Sequence, residues 1–315
     1  MIKQHLLLLA SLMLPTAMAA VSAPPALPST TLAYAAPQTL AEPLELSALS
    51  VLVLDQENGQ PLISKNVGLQ TPIASITKLM TAMVTLDARL DPNERIEISS
   101  RDIDYLKGTG SRLAVGASYT REQLLHLALI ASENRAAHAL GRSFPGGISA
   151  FIVAMNRKAR QLGMNQSLFV DPTGLSSYNQ STAEDLARMV QHAYQRYPEI
   201  RNISSSGNYS LGMQKVVVKK RRKTHTYWRD VAFSNTNRLT RDHEWHIGLS
   251  KTGYINEAGH CLVMQAEIAQ RPVIIVLLDA QGKYGRLGDA NRIKNWLENS
   301  IPSQNRFNPP ASRGT

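Results

Sequence analysis

Strand-like patterning stands at the two ends of this chain, and helix-like patterning fills the stretch between. Ser47–Asp55 is an apolar run of strand length. Asn58-Gly59 followed by Pro61–Ser64 reads as a turn and a second short strand. Trp245–Ile255, His260–Ile268 and Pro272–Ala280 are three more short, apolar, turn-bounded runs. A lone pair of strands is barely stable, so the early strands are expected to complete a sheet with the late ones. Strands segregated from helices in this way predict an α/β protein of the α+β kind. The expected architecture is an antiparallel sheet flanked by helices, with an all-helical subdomain inserted at about residues 90–195.

The helical middle is punctuated by recognisable signals. Helical patterning begins at Ser75 and runs to about Leu90. Thr120-Arg121-Glu122-Gln123 is a capping box that opens a helix through Ala131. Asn134–Gly141 reads as a short helix, and Ile148–Leu162 as a longer one stopped by Gly163. Ser181-Thr182-Ala183-Glu184 is a second capping box, opening a helix to about Tyr194. A last helix is expected at about Asp289–Asn299.

The ends of the chain read differently. Residues 1–20 have a positive start at Lys3, an apolar run from Leu6 to Leu14 and a small-x-small signal at Ala17-Met18-Ala19. That is the pattern of a cleaved signal peptide, and the run is short for a membrane span. Residues 21–45 form an Ala/Pro-rich linker, and 301–315 a polar tail. The expected folded domain is 46–300, exported to the periplasm and without an integral membrane anchor.

Composition narrows the function classes. Among 315 residues Cys261 is the single cysteine, so no internal disulfide can form. Its apolar neighbours Leu262, Val263 and Met264 make it a buried structural thiol rather than a nucleophile. The net charge of +10 suits contact with an anionic polymer or lipid headgroups. Lys219-Lys220-Arg221-Arg222-Lys223 is the densest basic run. It lacks aromatic interleaving or a binding module, so a solvated loop or hairpin is expected and no nucleic acid partner. His243-Glu244-Trp245-His246 has histidines three apart, whereas a helical zinc motif needs four, so no metal or other cofactor is expected. Gly146-Gly147 and Gly285-x-x-Gly288 lack a nucleotide fingerprint and read as turns. Packing in the core or in a hairpin is expected of Trp228 and Trp245, while Tyr105 and Tyr254 could line a cleft.

Three short motifs carry the chemistry. Ser75-Ile76-Thr77-Lys78 would place the Lys78 ammonium one helical turn from the Ser75 hydroxyl. A serine there also lies at the positive end of the helix dipole. Ser132-Glu133-Asn134 lies between two helices; Ser132 can relay a proton, and Asn134 has both a donor and an acceptor for a substrate amide. Lys251-Thr252-Gly253 falls on an expected strand and offers a cation, a hydroxyl and a position without a side chain, where a substrate backbone could lie close. Each motif alone is common by chance; their order and placement together are specific.

This set resembles that of penicillin-binding proteins and serine β-lactamases. The stretch Thr71–Ala82 is similar to the active-site helix of low-molecular-mass D-alanyl-D-alanine peptidases, and Asp171-Pro172-Thr173-Gly174-Leu175 with Ser181-Thr182-Ala183 to a loop of that family. Lys251–Gly259 resembles the type-7 branch, whose members are D-alanyl-D-alanine endopeptidases. The resemblance spans roughly residues 45–280 and implies the serine β-lactamase/D,D-peptidase-like fold. It implies peptidoglycan stem peptides as substrate and β-lactams as inhibitors. Ser75 is then the nucleophile, and Lys78 its base, made neutral by burial and by Lys251. Ser132, polarised by Lys251, serves the leaving amine. Asn134, Lys251 and Thr252 bind substrate beside Gly253, and the backbone N–H groups of Ser75 and Tyr254 hold the oxyanion. The Glu-x-x-Leu-Asn that carries the deacylating carboxylate of class A β-lactamases does not occur, so slow β-lactam turnover is expected. An endopeptidase is favoured over a carboxypeptidase by resemblance alone. The reading from another class, a non-catalytic peptidoglycan-binding scaffold, is opposed by the intact polar side chains of all three motifs.

Overall fold

The computed structural model describes residues 44–220 and 223–300, with side chains described outside 215–225. The expected signal peptide, nearly all of the linker and the polar tail lie outside the described residues.

The chain begins with β1 (Ala48–Asp55), β2 (Pro61–Lys65) and β3 (Thr71–Pro72), followed by α1 (Thr77–Asp87). Next come β4 (Arg95–Glu97), β5 (Ser118–Thr120), α2 (Arg121–Ile130), α3 (Asn134–Arg142) and α4 (Gly147–Gln161). Then follow β6 (Gln180–Ser181), α5 (Ala183–Arg196), α6 (Pro198–Ser205), β7 (Asn208–Lys220) and β8 (Lys223–Ser234). The chain closes with β9 (His246–Ile255), β10 (Gly259–Ile268), β11 (Arg271–Ala280) and α7 (Gly285–Ser300).

The early and late strands do pair. The main sheet has the order β2-β1-β11-β10-β9, and every neighbour in it is antiparallel. β1 runs along β11 from Ala48 opposite Ala280 to Asp55 opposite Val273. The hairpin turn before β2 uses Gly59 at φ +72, a left-handed value that glycine adopts without a Cβ penalty. Both faces of the sheet are covered, which explains why its strands read as continuous apolar runs rather than alternating ones. Val51, Val53, Leu262, Met264, Ile275 and Leu277 share one cluster with Ala290, Ile293 and Leu297 of α7. Leu52, Val263, Ile274 and Val276 face the other way, into the cluster that holds α1, α2, α3 and α5. Buried Asp289 of α7 accepts the N–H groups of Ser47 at 2.9 Å and Ala48 at 2.8 Å, pinning the start of β1 to the last helix. Cys261 is buried as expected, and burial pushes its thiol up to about 11.

Several boundaries differ from the expectation. The Thr120/Gln123 box forms in full at α2. At α5 the cap is Thr182, which accepts from the Asp185 N–H; Ser181 belongs to the β3–β6 ladder, and its hydroxyl meets Ser167 at 2.7 Å. Gly285 and Gly288 lie in the first turn of α7 rather than in a separate turn. The helix α6 was not expected, although Pro198 in its first turn is a recognised start signal. Of the loop or hairpin expected at the basic run, the structure has the hairpin, the end of a long two-stranded ribbon, β7–β8, whose pairing reaches Lys220 opposite Lys223. Trp245 is buried and donates to Asn291, whereas Trp228, on that ribbon, is exposed and not packed.

Leu262 is fully buried on the α7 side of the sheet. Leu262→Ala is expected to lower unfolding free energy in urea by about 2–5 kcal/mol.

Candidate active site

The three motifs converge at the edge strand β9. Ser75 lies in a tight 3₁₀ turn, Ala74–Ile76, and α1 begins only at Thr77, so the serine precedes the α-helix rather than opening it. Lys78 is still one turn on, and its Nζ lies 2.8 Å from Ser75 Oγ. Ala74 adopts φ +46, a costly value for a residue with a Cβ. Its carbonyl is met by Gly174 at φ +79, where an added Cβ would fall 1.9 Å from Ala74 O. Gly174 thus allows the loop after α4 to close against the turn that carries Ser75.

Ser132 links α2 to α3 and is itself left-handed, at φ +57. Two such residues, each costing about 1–3 kcal/mol, frame one small region, a concentration found at functional sites. Asn134 opens α3 and accepts from Lys78 Nζ at 2.7 Å through Oδ1. The third partner of Lys78 is the Thr173 carbonyl, at 2.7 Å. That carbonyl is presented by a loop wound around Asp171, whose Oδ1 accepts from the N–H groups of Thr173 at 2.6 Å and Gly174 at 2.8 Å. Buried Asn179 ties the same loop to α1 by donating to Thr77 Oγ1 at 3.2 Å.

From β9, Lys251 donates to Ser132 Oγ and to the Thr252 carbonyl, both at 2.9 Å. Thr252 Oγ1 shares a 2.6 Å hydrogen bond with Thr236 Oγ1. Gly253 backs directly onto the Ser75 turn: a Cβ there would lie 2.8 Å from Ile73 O and 3.1 Å from Ser75 N. Only a glycine lets the strand approach so closely. The Gly253 carbonyl accepts from Arg286 of α7 at 2.9 Å. The Tyr254 side chain takes no part in these contacts; it is half exposed, stacks on His260 and donates to Asn256. A cavity of about 390 Å³ opens beside Asn134, lined also by Tyr105, His138, Asp171, Thr173 and Leu175.

Electrostatics follow from burial. Lys78 is fully buried, and desolvation brings its pKa down to about 7, against the opposing pull of Asp171, Glu133 and Asp104. Burial is the leading cause at Lys78, and Lys251 is close enough that the two lysines each disfavour the other's charge. The Lys251 pKa falls well below the ordinary lysine value through burial first, then through Lys78 and Arg286.

The sequence pattern of the D-alanyl-D-alanine carboxypeptidase family matches residues 36–282. The chain belongs to this family. It is 45% identical over 254 residues to the D-alanyl-D-alanine endopeptidase of Pseudomonas aeruginosa, covering 81% of this chain and 78% of the relative. It is 41% identical over 281 residues to the D-alanyl-D-alanine endopeptidase of Escherichia coli, covering 89% and 86%. The crystal structure of a Streptomyces DD-transpeptidase superposes with a TM-score of 0.70 at 26% identity, over 82% of this chain and 98% of that one. The fold is therefore that of the D,D-peptidases.

All eight expected site residues of this family member stand in or beside the cluster, although Tyr254 contributes only its place on β9. Thr109, Thr173, Thr236 and Arg286 went unrecognised in the sequence. Thr173 lies inside the quoted Asp-Pro-Thr-Gly-Leu run; it was missed because its carbonyl acts, and every residue has a carbonyl. Nothing in the pattern marks Thr109, Thr236 or Arg286.

Two outcomes follow. On the expectation that Ser75 is the nucleophile and Lys78 its base, the rate of acylation by a fluorescent penicillin should rise with pH through a midpoint at about 7, because the population of the neutral amine grows as pH passes the lysine pKa. Gly253→Ala should lower that rate by about a hundredfold, by pushing β9 off the Ser75 turn, and should also lower the thermal unfolding temperature, because the added Cβ meets backbone.

Proposed function

We propose that this protein is an exported serine D-alanyl-D-alanine endopeptidase, acting in the periplasm on the D,D-peptide cross-links of peptidoglycan. Ser75 is the nucleophile, and the reaction passes through an acyl-enzyme. One observation carries the reading: a fully buried lysine whose amine contacts Ser75 Oγ and two other uncharged oxygens. A neutral amine has two hydrogens and one lone pair. The Asn134 and Thr173 oxygens can only accept, so they take the two hydrogens, and the lone pair is left for the Ser75 hydroxyl. That hydroxyl then donates to Lys78, the arrangement a serine needs to become a nucleophile.

In the proposed reaction Lys78 takes the Ser75 proton as the oxygen attacks the D-Ala carbonyl. The backbone N–H groups of Ser75 and Tyr254 hold the oxyanion, each such donor being worth roughly 3 kcal/mol. The closeness of Gly253 to Ser75 N supports this pairing, because it brings β9 and the serine turn to one point. Ser132, fixed by Lys251, passes a proton to the leaving amine. Lys251 and Thr252 face a carboxylate on the leaving side, and Asn134 positions the substrate amide. Water then frees the acyl group. The leader-like residues 1–20 support export, and no described helix is long and apolar enough to cross a membrane. The two relatives named as endopeptidases support that specificity over the carboxypeptidase reading suggested by the family's own description.

Mass spectrometry of products from defined muropeptides separates these readings. A cross-linked dimer split into monomers is expected; removal of a single terminal alanine, with dimers left intact, would make the protein a carboxypeptidase, and no product from either substrate would favour a scaffold. Ser75→Ala should fold and lose all penicillin labelling, and the unmutated enzyme should hydrolyse nitrocefin only slowly.

A further inference from the structure

The Asn134 amide has two ends of opposite chemistry, and the end that meets Lys78 decides what the amine can do. Oδ1 only accepts and Nδ2 only donates, yet a half-turn about the last side-chain bond exchanges them with almost no change in shape. In this fold Oδ1 meets Lys78 Nζ at 2.7 Å, and Nδ2 donates to Thr109 Oγ1 at 2.9 Å. Beyond Thr109 lies Asp104. Its Oδ2 accepts the Thr109 hydroxyl at 2.7 Å and the Thr109 N–H at 2.9 Å. Its Oδ1 accepts the N–H groups of Leu106 and Lys107, both at 2.9 Å. Partial burial opposes ionisation of Asp104, but these hydrogen bonds hold its carboxyl below the usual carboxylate range.

Proton accounting then fixes the direction of the whole chain. An ionised carboxylate can only accept, so Thr109 gives its one hydroxyl hydrogen to Asp104. The hydroxyl oxygen can thereafter only accept from Asn134. Nδ2 must therefore face Thr109, and Oδ1 must face Lys78. Thr109 is on the 103–111 loop, which Lys107 also ties across to Glu257, in the turn after β9.

We propose that Thr109 is a positioning residue that locks the Asn134 amide with its oxygen toward Lys78, so that the amine's lone pair stays on the Ser75 hydroxyl. This rests on the acyl-enzyme reading above. With the amide reversed, Nδ2 would compete for that lone pair, and the protonated amine would lose an acceptor. The first effect slows acylation; the second lowers the Lys78 pKa further. The charged groups around Lys78 are Asp104, Asp171 and Glu133 from the loops and Lys251 from β9. The change from threonine to valine leaves Asp171, Glu133 and Lys251 as they are but takes one hydrogen bond from Asp104, so a shifted titration reports the amide where carboxyl NMR of the same variant shows Asp104 still ionised.

Thr109 is exposed, and Thr109→Val keeps its shape without the hydroxyl. Acylation by a fluorescent penicillin should fall about fivefold to tenfold at its plateau, and its pH midpoint should move to lower pH. Thr109→Ser should restore both, and Thr109→Ala should behave as the valine variant does. Wild-type rates and midpoints in the valine and alanine variants would overturn the proposal. So would equal losses in all three variants with an unmoved midpoint, since that pattern reports loop packing alone. The Lys78 titration, followed by side-chain NMR of isotope-labelled lysine, reads the lock without any acylation. A midpoint lowered in the valine variant and restored by serine supports the lock even in a protein that penicillin fails to label, a failure that would count against the acyl-enzyme reading instead.

Discussion

Taking the Lys78 amine out of water with only uncharged oxygens against it is the constraint on which the rest of the site depends. An ammonium in that position is disfavoured by desolvation, and no direct carboxylate contact offsets the cost. The surrounding carboxylates, Asp171, Glu133 and Asp104, act from beyond the first contacts and limit how far the lysine is depressed. Burial wins, but by a margin that leaves the pKa near neutrality rather than far below it. A base with that pKa is both free to take a proton and strong enough to hold it.

The fold supplies this environment by closing three separate pieces of chain on one point. The loop wound around Asp171 delivers the Thr173 carbonyl, α3 delivers Asn134, and the edge strand β9 closes the remaining side with Gly253. Each closure depends on a residue that tolerates unusual geometry: Gly174 at positive φ against Ala74, Ala74 and Ser132 in left-handed backbone, and Gly253 with no room for a side chain. Strain and close approach of this kind persist only where a well-packed surround over-determines them. Here the surround is the apolar cluster between the sheet and α1, α2, α3 and α5.

Lys251 plays a different part from Lys78, although both are buried and both are depressed. Its hydrogen bond reaches Ser132 rather than Ser75, and Lys78 itself is among the causes of its shift. Lys78 meets Ser75, and Lys251 meets Ser132 on a strained link between two helices; in the proposed reaction the first prepares the nucleophile and the second faces the departing group.

The amino-acid sequence by itself determined the arrangement of strands and helices, the three motifs and hence the family. These are local or periodic signals: apolar runs of strand length, the Thr120/Gln123 capping box, and short polar triplets at fixed spacing. It was less reliable where two local signals competed, as at Ser181 and Thr182, or where a ribbon such as β7–β8 is held by its own pairing rather than by a buried face. Tertiary structure alone decided which atoms meet Lys78. The Thr173 carbonyl, the Thr109 hydroxyl and the turn-facing edge of Gly253 are generic groups, made specific only by contacts between residues from 25 to 180 positions apart in the chain. Hydrogen-bond direction and desolvation depend on distances of a few ångströms in space, and separation along the chain carries no record of them.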